Sequence, residues 1–178
     1  KLKAGEQCAI FGANGAGKTT MFQAMSASVD CTEGEVLLNQ TRLTPNQTDR
    51  RRLIGVLPQN LELPQWSTAG DIISYAQTIA QVDQKSKEHT QKLLEDLDLE
   101  QDLDKISGGF SFGMRKRLGL ILAMMTQPQI LILDEPFSGL DIHHVKTLRK
   151  LLEQRIDQMS ITIISTHVPT LISDICDR

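Results

Sequence analysis

The sequence of 178 residues is poor in aromatic side chains, in cysteine and in excess positive charge. Aromatic residues make up 4% of the chain, so stacking platforms for single-stranded nucleic acid are not evident. A net charge of -3 leaves no basic footprint for a nucleic acid, and we expect no such partner. The three cysteines have neither metal-site nor disulfide spacing, which fits a reducing, cytosolic setting.

Long hydrophobic runs are also lacking. The apolar stretch at residues 118–125 is too short to cross a membrane, and no signal peptide is visible. If the protein serves a membrane, we expect the spanning part to belong to another chain or segment. Two short basic runs, at residues 50–52 and 115–117, are interpreted as solvated faces.

A phosphate-binding pattern, G-x-x-x-x-G-K-T, occupies residues 12–19, between an apolar strand at 7–11 and a helix that begins near Lys18. Its glycines let the backbone turn tightly and bring N–H groups close to phosphate oxygens. The helix N-terminus favours an anion, and Lys18 supplies charge to the β- and γ-phosphates. Thr19 is the expected Mg²⁺ ligand, and Thr20 would cap the helix or contact the α-phosphate. The residues predicted to bind the nucleotide here are Gly12, Asn14, Gly15, Gly17, Lys18, Thr19 and Thr20.

An apolar run at residues 130–133 ends in two acids, Asp134 and Glu135. A carboxylate in that place lies at the carboxyl edge of a buried parallel strand, where open α/β sheets bind ligands. We expect Asp134 to hold Mg²⁺, directly or through water, and Glu135 to polarise the attacking water. Together the two motifs predict a chain that binds a nucleoside triphosphate with Mg²⁺ and hydrolyses it.

The order of elements predicts an α/β domain with an inserted helical region. Strand patterns occur at residues 35–38, 54–57, 130–134 and 161–165, with helices at 142–158 and from Pro169 onward. The pattern in residues 67–126 predicts three helices, at 72–82, 85–97 and 114–125, and no strand. Thr68 and Asp71 have the spacing of a capping box at the start of this region.

In this order, the motifs resemble the nucleotide-binding domain of ATP-binding-cassette (ABC) ATPases over nearly the whole chain. Residues 12–19 match the Walker A motif and 130–134 the Walker B motif. Gln59 stands at the place of the Q-loop glutamine, residues 138–141 resemble the D-loop, and His167 resembles the switch histidine. The resemblance implies a P-loop NTPase (RecA-like) fold, a mostly parallel sheet flanked by helices. It also implies an α/β core at 1–66 and 127–178 and a helical signature subdomain at 67–126.

The resemblance also assigns roles to single residues. It implies that Gln59 contacts Mg²⁺ or the attacking water, that His167 senses the γ-phosphate, and that Asp141 of the D-loop belongs to the nucleotide site. The predicted catalytic set is then Glu135, His167 and Gln59, and the predicted metal ligands are Thr19, Gln59 and Asp134. The remaining histidines, His89, His143 and His144, are interpreted as ordinary hydrogen-bonded residues.

Two segments compete for the family's signature motif. Residues 106–109, Ile-Ser-Gly-Gly, look like its start, but Arg117 and Asp134 stand at the family's usual distances from Ser111. We therefore assign the signature to residues 110–114, with Phe112 at the usual first glycine. The Ser111 hydroxyl, the Gly113 N–H and the helix N-terminus would then bind the γ-phosphate held by a second subunit.

The resemblance implies the motor ATPase of a membrane transporter. Two such domains, expected to be a homodimer, close head to tail on two ATP and drive a separate transmembrane permease. A coupling helix of the permease would contact the groove beside Gln59 and Trp66, on the cytoplasmic face of the membrane. The S-x-G-M signature resembles that of ABC-2-type exporters. Family domains extend beyond both ends of this sequence and carry an adenine-stacking aromatic residue upstream, so a trimmed domain is expected.

Two other functions stay open at this stage. One is a soluble ABC ATPase, such as a translation or assembly factor; repair and chromosome members place a long coiled coil where this insert is short. The other is a non-catalytic nucleotide-binding regulatory module. The presence of Glu135 and His167 argues against that module, whereas Phe112 argues mildly for it.

Overall fold

Four strands form a parallel sheet at the centre of the computed structural model, which describes residues 1–13, 15–157, 159–173 and 176. The sheet order is β1–β6–β5–β4, and every neighbouring pair is parallel. The strands are β1 Gln7–Ile10, β4 Ile54–Leu57, β5 Ile130–Asp134 and β6 Ile161–Ser165. Because the strands are parallel, their carboxyl ends meet at one edge of the sheet. The predicted parallel α/β fold is confirmed.

A short antiparallel hairpin replaces the strand predicted at residues 35–38. Its strands are β2 Leu37–Leu38 and β3 Thr41–Arg42. The two residues between them, Asn39 and Gln40, both have a φ near 60°. Two left-handed residues in sequence form the tight turn that suits a two-residue hairpin, so the chain reverses before a longer strand can form.

Six α-helices and three short 3₁₀ turns surround the sheets in the described residues. The helices are α1 Lys18–Met25, α2 Thr48–Arg51, α3 Ala69–Ala80, α4 Gln84–Asp96, α5 Phe112–Met124 and α6 Ile142–Asp157. The 3₁₀ turns are Glu100–Asp102, Ser107–Gly109 and Pro169–Leu171. The helix predicted from Pro169 begins as a 3₁₀ turn, and residues 174, 175, 177 and 178 lie outside the described part of the chain. None of the described helices is both long and apolar enough to span a bilayer.

Helices cover both faces of the parallel sheet. Leu131 and Leu133 of β5 belong to the main hydrophobic cluster, which also contains residues of α5 and α6. Ile132, between them, packs on the opposite face with Phe22 of α1. Successive strand side chains point to opposite faces, so burial on both sides requires a continuous apolar run. This explains why residues 130–133 contain no polar residue.

The region between β4 and β5 is helical, as predicted, and comprises α3, α4 and α5. Its first helix starts with the predicted capping box: the Asp71 N–H donates to Thr68 Oγ1 at 3.1 Å, and the Thr68 N–H donates to Asp71 Oδ2 at 3.3 Å. Leu93 and Leu94 of α4 share the main hydrophobic cluster with Leu57 of β4. The division into a core and a separate helical subdomain stays a prediction.

Helix α5 lies directly against the sheet at Gly55. A Cβ atom added at Gly55 would lie 2.0 Å from the Ala123 carbonyl oxygen and 2.7 Å from Pro128 Cγ. Both neighbours are held by the backbone or by a rigid ring, so neither can move away easily. The absence of a side chain at Gly55 therefore allows α5 to pack on β4.

We predict that Gly55→Ala lowers the free energy of unfolding by about 1–3 kcal/mol, because the new methyl group overpacks this contact. Urea denaturation followed by circular dichroism measures the effect. Gly109→Ala is the matched control, since a Cβ at Gly109 meets no heavy atom within 4 Å. Equal urea midpoints for the two variants would contradict the prediction.

Candidate functional site

The loop between β1 and α1 curls around the ammonium group of Lys18. Nζ of Lys18 donates to the carbonyl oxygens of Gly12 at 2.7 Å and Ala13 at 3.1 Å. Gly15 and Gly17 have φ values of 81° and 87°, in the left-handed region that favours glycine. Gly17 directly precedes α1, so the positive end of the helix dipole opens into the loop. This arrangement is a ready anion site.

A cavity of about 260 Å³, the loop cavity, lies against this segment. It is lined by residues 15–20, Gln59 and Glu135. The predicted nucleotide-binding residues Gly15, Gly17, Lys18, Thr19 and Thr20 therefore share one cavity with two predicted catalytic residues. The predicted ligand Asn14 lies outside the described residues.

Asp134 joins the phosphate-binding loop to the end of the sheet. Thr19 Oγ1 donates to Asp134 Oδ2 at 2.6 Å, and Ser165 Oγ donates to Asp134 Oδ1. The Asp134 carboxylate is buried, with 2% of the residue exposed, and these hydrogen bonds offset its loss of hydration. Hydroxyl and carboxylate oxygens are the hard ligands that Mg²⁺ prefers together with phosphate oxygens, so this pair fits a Mg²⁺ ion.

Glu135 stands in a strained backbone turn directly after β5. Its φ is 48°, an uncommon value for a residue with a side chain, and its N–H donates to Ser165 Oγ at 2.9 Å. Oε2 of Glu135 lies 2.9 Å from Nδ1 of His167. The Glu135 side chain is 9% exposed and the His167 side chain 63% exposed. The predicted water-activating acid, Glu135, is thus held by Ser165 at its backbone and by the solvent-exposed His167 at its carboxylate.

Gln59 lies in the exposed loop after β4 and lines two neighbouring cavities. One is the loop cavity. The other, the edge cavity of about 380 Å³, also contains both members of the Glu135–His167 pair. Its lining residues are Gly12, Ala13, Gln59, Asn60, Phe112, Lys116, Glu135, Ser138 and His167. The structure therefore brings together all three residues of the predicted catalytic set.

The signature segment lies to one side of these cavities. Ser111 precedes α5, and its Oγ accepts from the Met114 N–H at 3.2 Å. Neither Ser111 nor Gly113 lines the loop cavity or the edge cavity. Phe112 does line the edge cavity, and its ring packs directly on Gly139, where an added Cβ would lie 2.1 Å from Phe112 Cδ1. In its own chain the signature serine is thus separate from the phosphate-binding loop.

Asp141 is also outside both cavities. Its carboxylate accepts from the backbone N–H of His144 at 3.0 Å and lies 2.8 Å from His144 Nδ1. The backbone and side-chain hydrogen bonds from His144 lower the pKa of Asp141. His144 is buried and also contacts Arg117, which agrees with its interpretation as an ordinary hydrogen-bonded residue.

The solvated face predicted for residues 115–117 is wrong. Lys116 is 3% exposed, Arg115 donates to the Phe110 carbonyl, and Arg117 donates to the carbonyls of Leu97 and Asp98. Other parts of the chain pack around helix α5, so the side chains of its basic residues reach backbone carbonyls rather than solvent. The other basic run behaves as predicted at Arg51 and Arg52, which are exposed.

Taken together, a strand, a phosphate-binding loop, a helix and a buried carboxylate on the neighbouring edge define a P-loop nucleoside triphosphatase fold. Comparison with known proteins narrows this class. The sequence model of the ABC transporter family matches residues 1–138. A solved structure described as the ATP binding subunit of an ABC transporter superposes with a TM-score of 0.90 at 26% identity, covering 98% of this chain and 73% of that one.

Similar proteins carry related descriptions. The chain is 35% identical over 175 residues to the uncharacterized ABC transporter ATP-binding protein YxlF of Bacillus subtilis, covering 97% of this chain and 57% of YxlF. It is 31% identical over 181 residues to the bacitracin transport ATP-binding protein BcrA of Bacillus licheniformis, covering 99% of this chain and 58% of BcrA. It is 29% identical over 179 residues to the human glucosylceramide transporter ABCA12, covering 99% of this chain and 7% of ABCA12.

The chain belongs to the ABC transporter family and forms an ATP-binding domain of that family. It spans somewhat more than half the length of the two bacterial relatives and a small part of the human one. The family resemblance inferred from the ordered motifs is confirmed.

Two residues of the site were not assigned from the sequence. Ser165 bridges Asp134 and Glu135, and Lys116 lines the edge cavity. A signal for Ser165 was available, because it is a polar residue at the end of the apolar strand pattern at 161–165. Its register opposite Asp134 becomes apparent only from the strand order.

We predict that Ser165→Ala weakens Mg²⁺-dependent binding of a fluorescent ATP analogue by about 10–100-fold, because the residues that orient a metal ligand contribute this much to affinity. The substitution removes one partner of Asp134 and leaves the Glu135 N–H without its acceptor. Titration with Mg²⁺ at fixed analogue concentration measures the effect. Ser160→Ala is the control, since Ser160 is also buried but donates to the Arg155 carbonyl beyond the opposite end of β6. Equal titration curves for both variants would refute the role of Ser165.

Proposed function

We propose that this domain binds ATP with Mg²⁺, hydrolyses it, and drives transport through a separate membrane subunit. The observation that supports hydrolysis best is the Glu135–His167 pair, which lines the edge cavity and whose Glu135 also lines the loop cavity. A non-catalytic module would need no buried acid held in a strained turn beside the phosphate-binding loop. The arrangement therefore favours a catalytic domain over the regulatory alternative.

Each step of binding has candidate groups in this chain. The loop N–H groups and Lys18 receive the triphosphate, and the carbonyls that Lys18 contacts keep its ammonium at the loop. We propose that Thr19, Asp134 and Gln59 hold Mg²⁺, which when bound neutralises phosphate charge. Thr20 lines the same cavity and would contact the nucleotide there.

Glu135 and His167 act on the water and the terminal phosphate. The Glu135 carboxylate accepts a hydrogen bond from the attacking water and orients it. His167 steadies that carboxylate through Nδ1, which leaves Nε2 pointing away from it. With Nδ1–H donated to Glu135, Nε2 can donate to a phosphate oxygen only when the ring carries both protons. We propose that this contact to the γ-phosphate is the second role of His167.

The position of the signature segment supports a head-to-tail dimer. Ser111 and Gly113 are exposed or half-buried and line neither cavity of their own chain. The Ser111 hydroxyl hydrogen and the Gly113 N–H, at the N-terminus of a long helix, suit the γ-phosphate of a second copy. In this arrangement Asp141 and its D-loop also lie at the interface. Residues 67–126 would act as a helical subdomain that closes with the nucleotide.

The membrane subunit needs a surface that senses this closure. A groove of about 720 Å³ lies between the core and the helical region, lined by residues 54–56 of β4, residues 79–83 at the end of α3 and just after it, and part of α5. The core and the helical region both form walls of this groove. A movement of one relative to the other would therefore change the shape of the groove. We propose that a helix of the permease docks in this groove, rather than beside Gln59 and Trp66 as the sequence suggested. Trp66 is 90% exposed and contributes nothing to the groove.

The transported substrate is set outside this chain. The relatives that are named for a substrate carry different ones: bacitracin, glucosylceramide and, for the Xylella fastidiosa protein MetN at 31% identity, methionine. A shared ATP-binding domain with such varied cargo fits selection by the membrane part. The Ser111-x-Gly113-Met114 signature supports an ABC-2-type exporter. In that case the domain lies at the cytoplasmic face of the membrane, bound to the permease.

We predict that Glu135→Gln lowers ATP turnover by about 10²–10⁴-fold, the usual contribution of a general base, while ATP binding is retained. Because hydrolysis reopens the proposed dimer, the variant should elute as a dimer in Mg²⁺-ATP during size-exclusion chromatography. Glu153→Gln, an exposed substitution of the same kind on α6, is the control and should behave as the parent.

Turnover of Glu135→Gln at the parental rate would rule out Glu135 as the catalytic group. ATP binding by the parent without any ATP turnover would instead support the regulatory module. These two results are distinguishable, because only the first leaves hydrolysis intact.

We predict that Ile79→Asp reduces co-purification of the membrane subunit from cells that express the complete transporter. Ile79 is 58% exposed and lines the groove, so a carboxylate there opposes an apolar docking helix. ATP binding by the isolated chain should not change. Leu37→Asp, at a comparably exposed apolar residue of the β2–β3 hairpin, is the control. Equal recovery of the membrane subunit with both variants would show that it does not dock in this groove.

A further inference from the structure

Lys116 is a buried cation at the edge of the candidate site. It lies in the second turn of α5 and is 3% exposed. Nζ donates to the backbone carbonyl of Gln59 at 3.3 Å and lies 5.7 Å from the centre of the Phe112 ring. An ammonium group can donate three hydrogen bonds, and among the described residues this is the one recorded for it.

The charges around Lys116 explain how its burial is tolerated. Burial lowers the pKa of the ammonium group, while the carboxylates of Asp134 and Glu135 oppose that shift. A methionine would fill a similar volume without the cost of desolvating a charge. Packing alone therefore gives no reason for a lysine here, whereas the acid pair and the Gln59 carbonyl do.

Lys116 touches one cavity of the site and not the other. It lines the edge cavity with Glu135 and His167, but the lining of the loop cavity does not include it. Gln59, whose carbonyl accepts from Lys116, lines both cavities. The cation is thus placed to affect the arrangement of the water-activating residues more than the binding of the triphosphate.

We infer that Lys116 is a positioning residue for hydrolysis, which fixes the backbone of Gln59 and turns a positive charge toward the Asp134–Glu135 pair of its own subunit. Through this contact the signature helix α5 is tied to the Q-loop of the same chain. This inference rests on the proposed ATPase function. It assigns to the signature helix a second role, distinct from its contact with a partner's nucleotide.

The test compares Lys116→Met, Lys116→Arg and, as a control, Lys146→Met at an exposed lysine of α6. We expect Lys116→Met to lower kcat for ATP about tenfold, in the range seen for residues that orient a metal site, with KM changed less than about twofold. Lys116→Arg should recover most of kcat, because it keeps the charge and the donor. In a Gln59→Ala background, Lys116→Met should cost little more, since both act through the same loop.

A second measurement does not depend on turnover. Hydrogen–deuterium exchange of a peptide that covers residues 57–61 should be at least about threefold faster in Lys116→Met than in the parent, and parental in Lys116→Arg. If the parent hydrolyses no ATP, the proposed function fails, and this exchange experiment alone decides whether Lys116 anchors the loop.

Three results would overturn the inference. One is parental kcat and parental exchange in Lys116→Met. Another is an equal loss of kcat in the Met and Arg variants together with a lower urea midpoint, which would indicate a packing role. A third is full additivity of Lys116→Met with Gln59→Ala, which would mean that the two residues act independently.

Discussion

The hydrogen bonds to Asp134 hold together the parts of this domain that make a nucleotide site. Its two carboxylate oxygens accept from different elements: Thr19 at the start of α1 and Ser165 at the end of β6. Because a buried carboxylate without partners is strongly disfavoured, the three segments are kept in one arrangement before any ligand binds. The same serine also accepts from the Glu135 N–H, so the proposed metal ligand and the proposed base are oriented by one side chain. A change at this point would therefore affect the proposed Mg²⁺ site and the proposed water activation together.

Much of this arrangement could be predicted because its signals are local. An apolar run that ends in a carboxylate, a glycine-rich loop before a helix, and the Thr68–Asp71 capping box each depend on neighbouring residues only. Contacts between distant segments could not be predicted in the same way. The pairing of Ser165 with Asp134 requires β6 to lie beside β5, which no spacing in the sequence specifies. Lys116 and Arg117 looked like surface charges, because their acceptors at Gln59, Leu97 and Asp98 come from other elements.

Helix α5 connects three functional segments of one chain. Phe112 packs on Gly139 of the D-loop, Lys116 bonds to the Q-loop, and Arg117 bonds to the end of α4 and contacts His144 of α6. A rigid helix transmits displacement along its whole length, so a force at any of these contacts reaches the others. In the proposed dimer, a nucleotide bound at the N-terminus of α5 in one subunit would thus alter the Gln59 loop of that same subunit. This gives a physical route between the two ATP sites.

Phe112 changes how such a dimer would close. A glycine at this position would present backbone alone to a partner's phosphate, whereas Phe112 is 49% exposed and adds an aromatic surface. Ser111 still has a hydroxyl hydrogen to donate, because among the described residues its oxygen only accepts, from the Met114 N–H, and the helix N-terminus is unchanged. The hydroxyl and N–H groups proposed to contact the γ-phosphate are therefore still present. Burial of the Phe112 ring on dimer closure would add apolar contact area to the interface. The stability of the closed dimer would then depend more on buried apolar area, and less on charge contacts that salt screens, than with glycine at this position. Nucleotide binding by the open subunit would stay independent of Phe112, since that residue does not line the loop cavity.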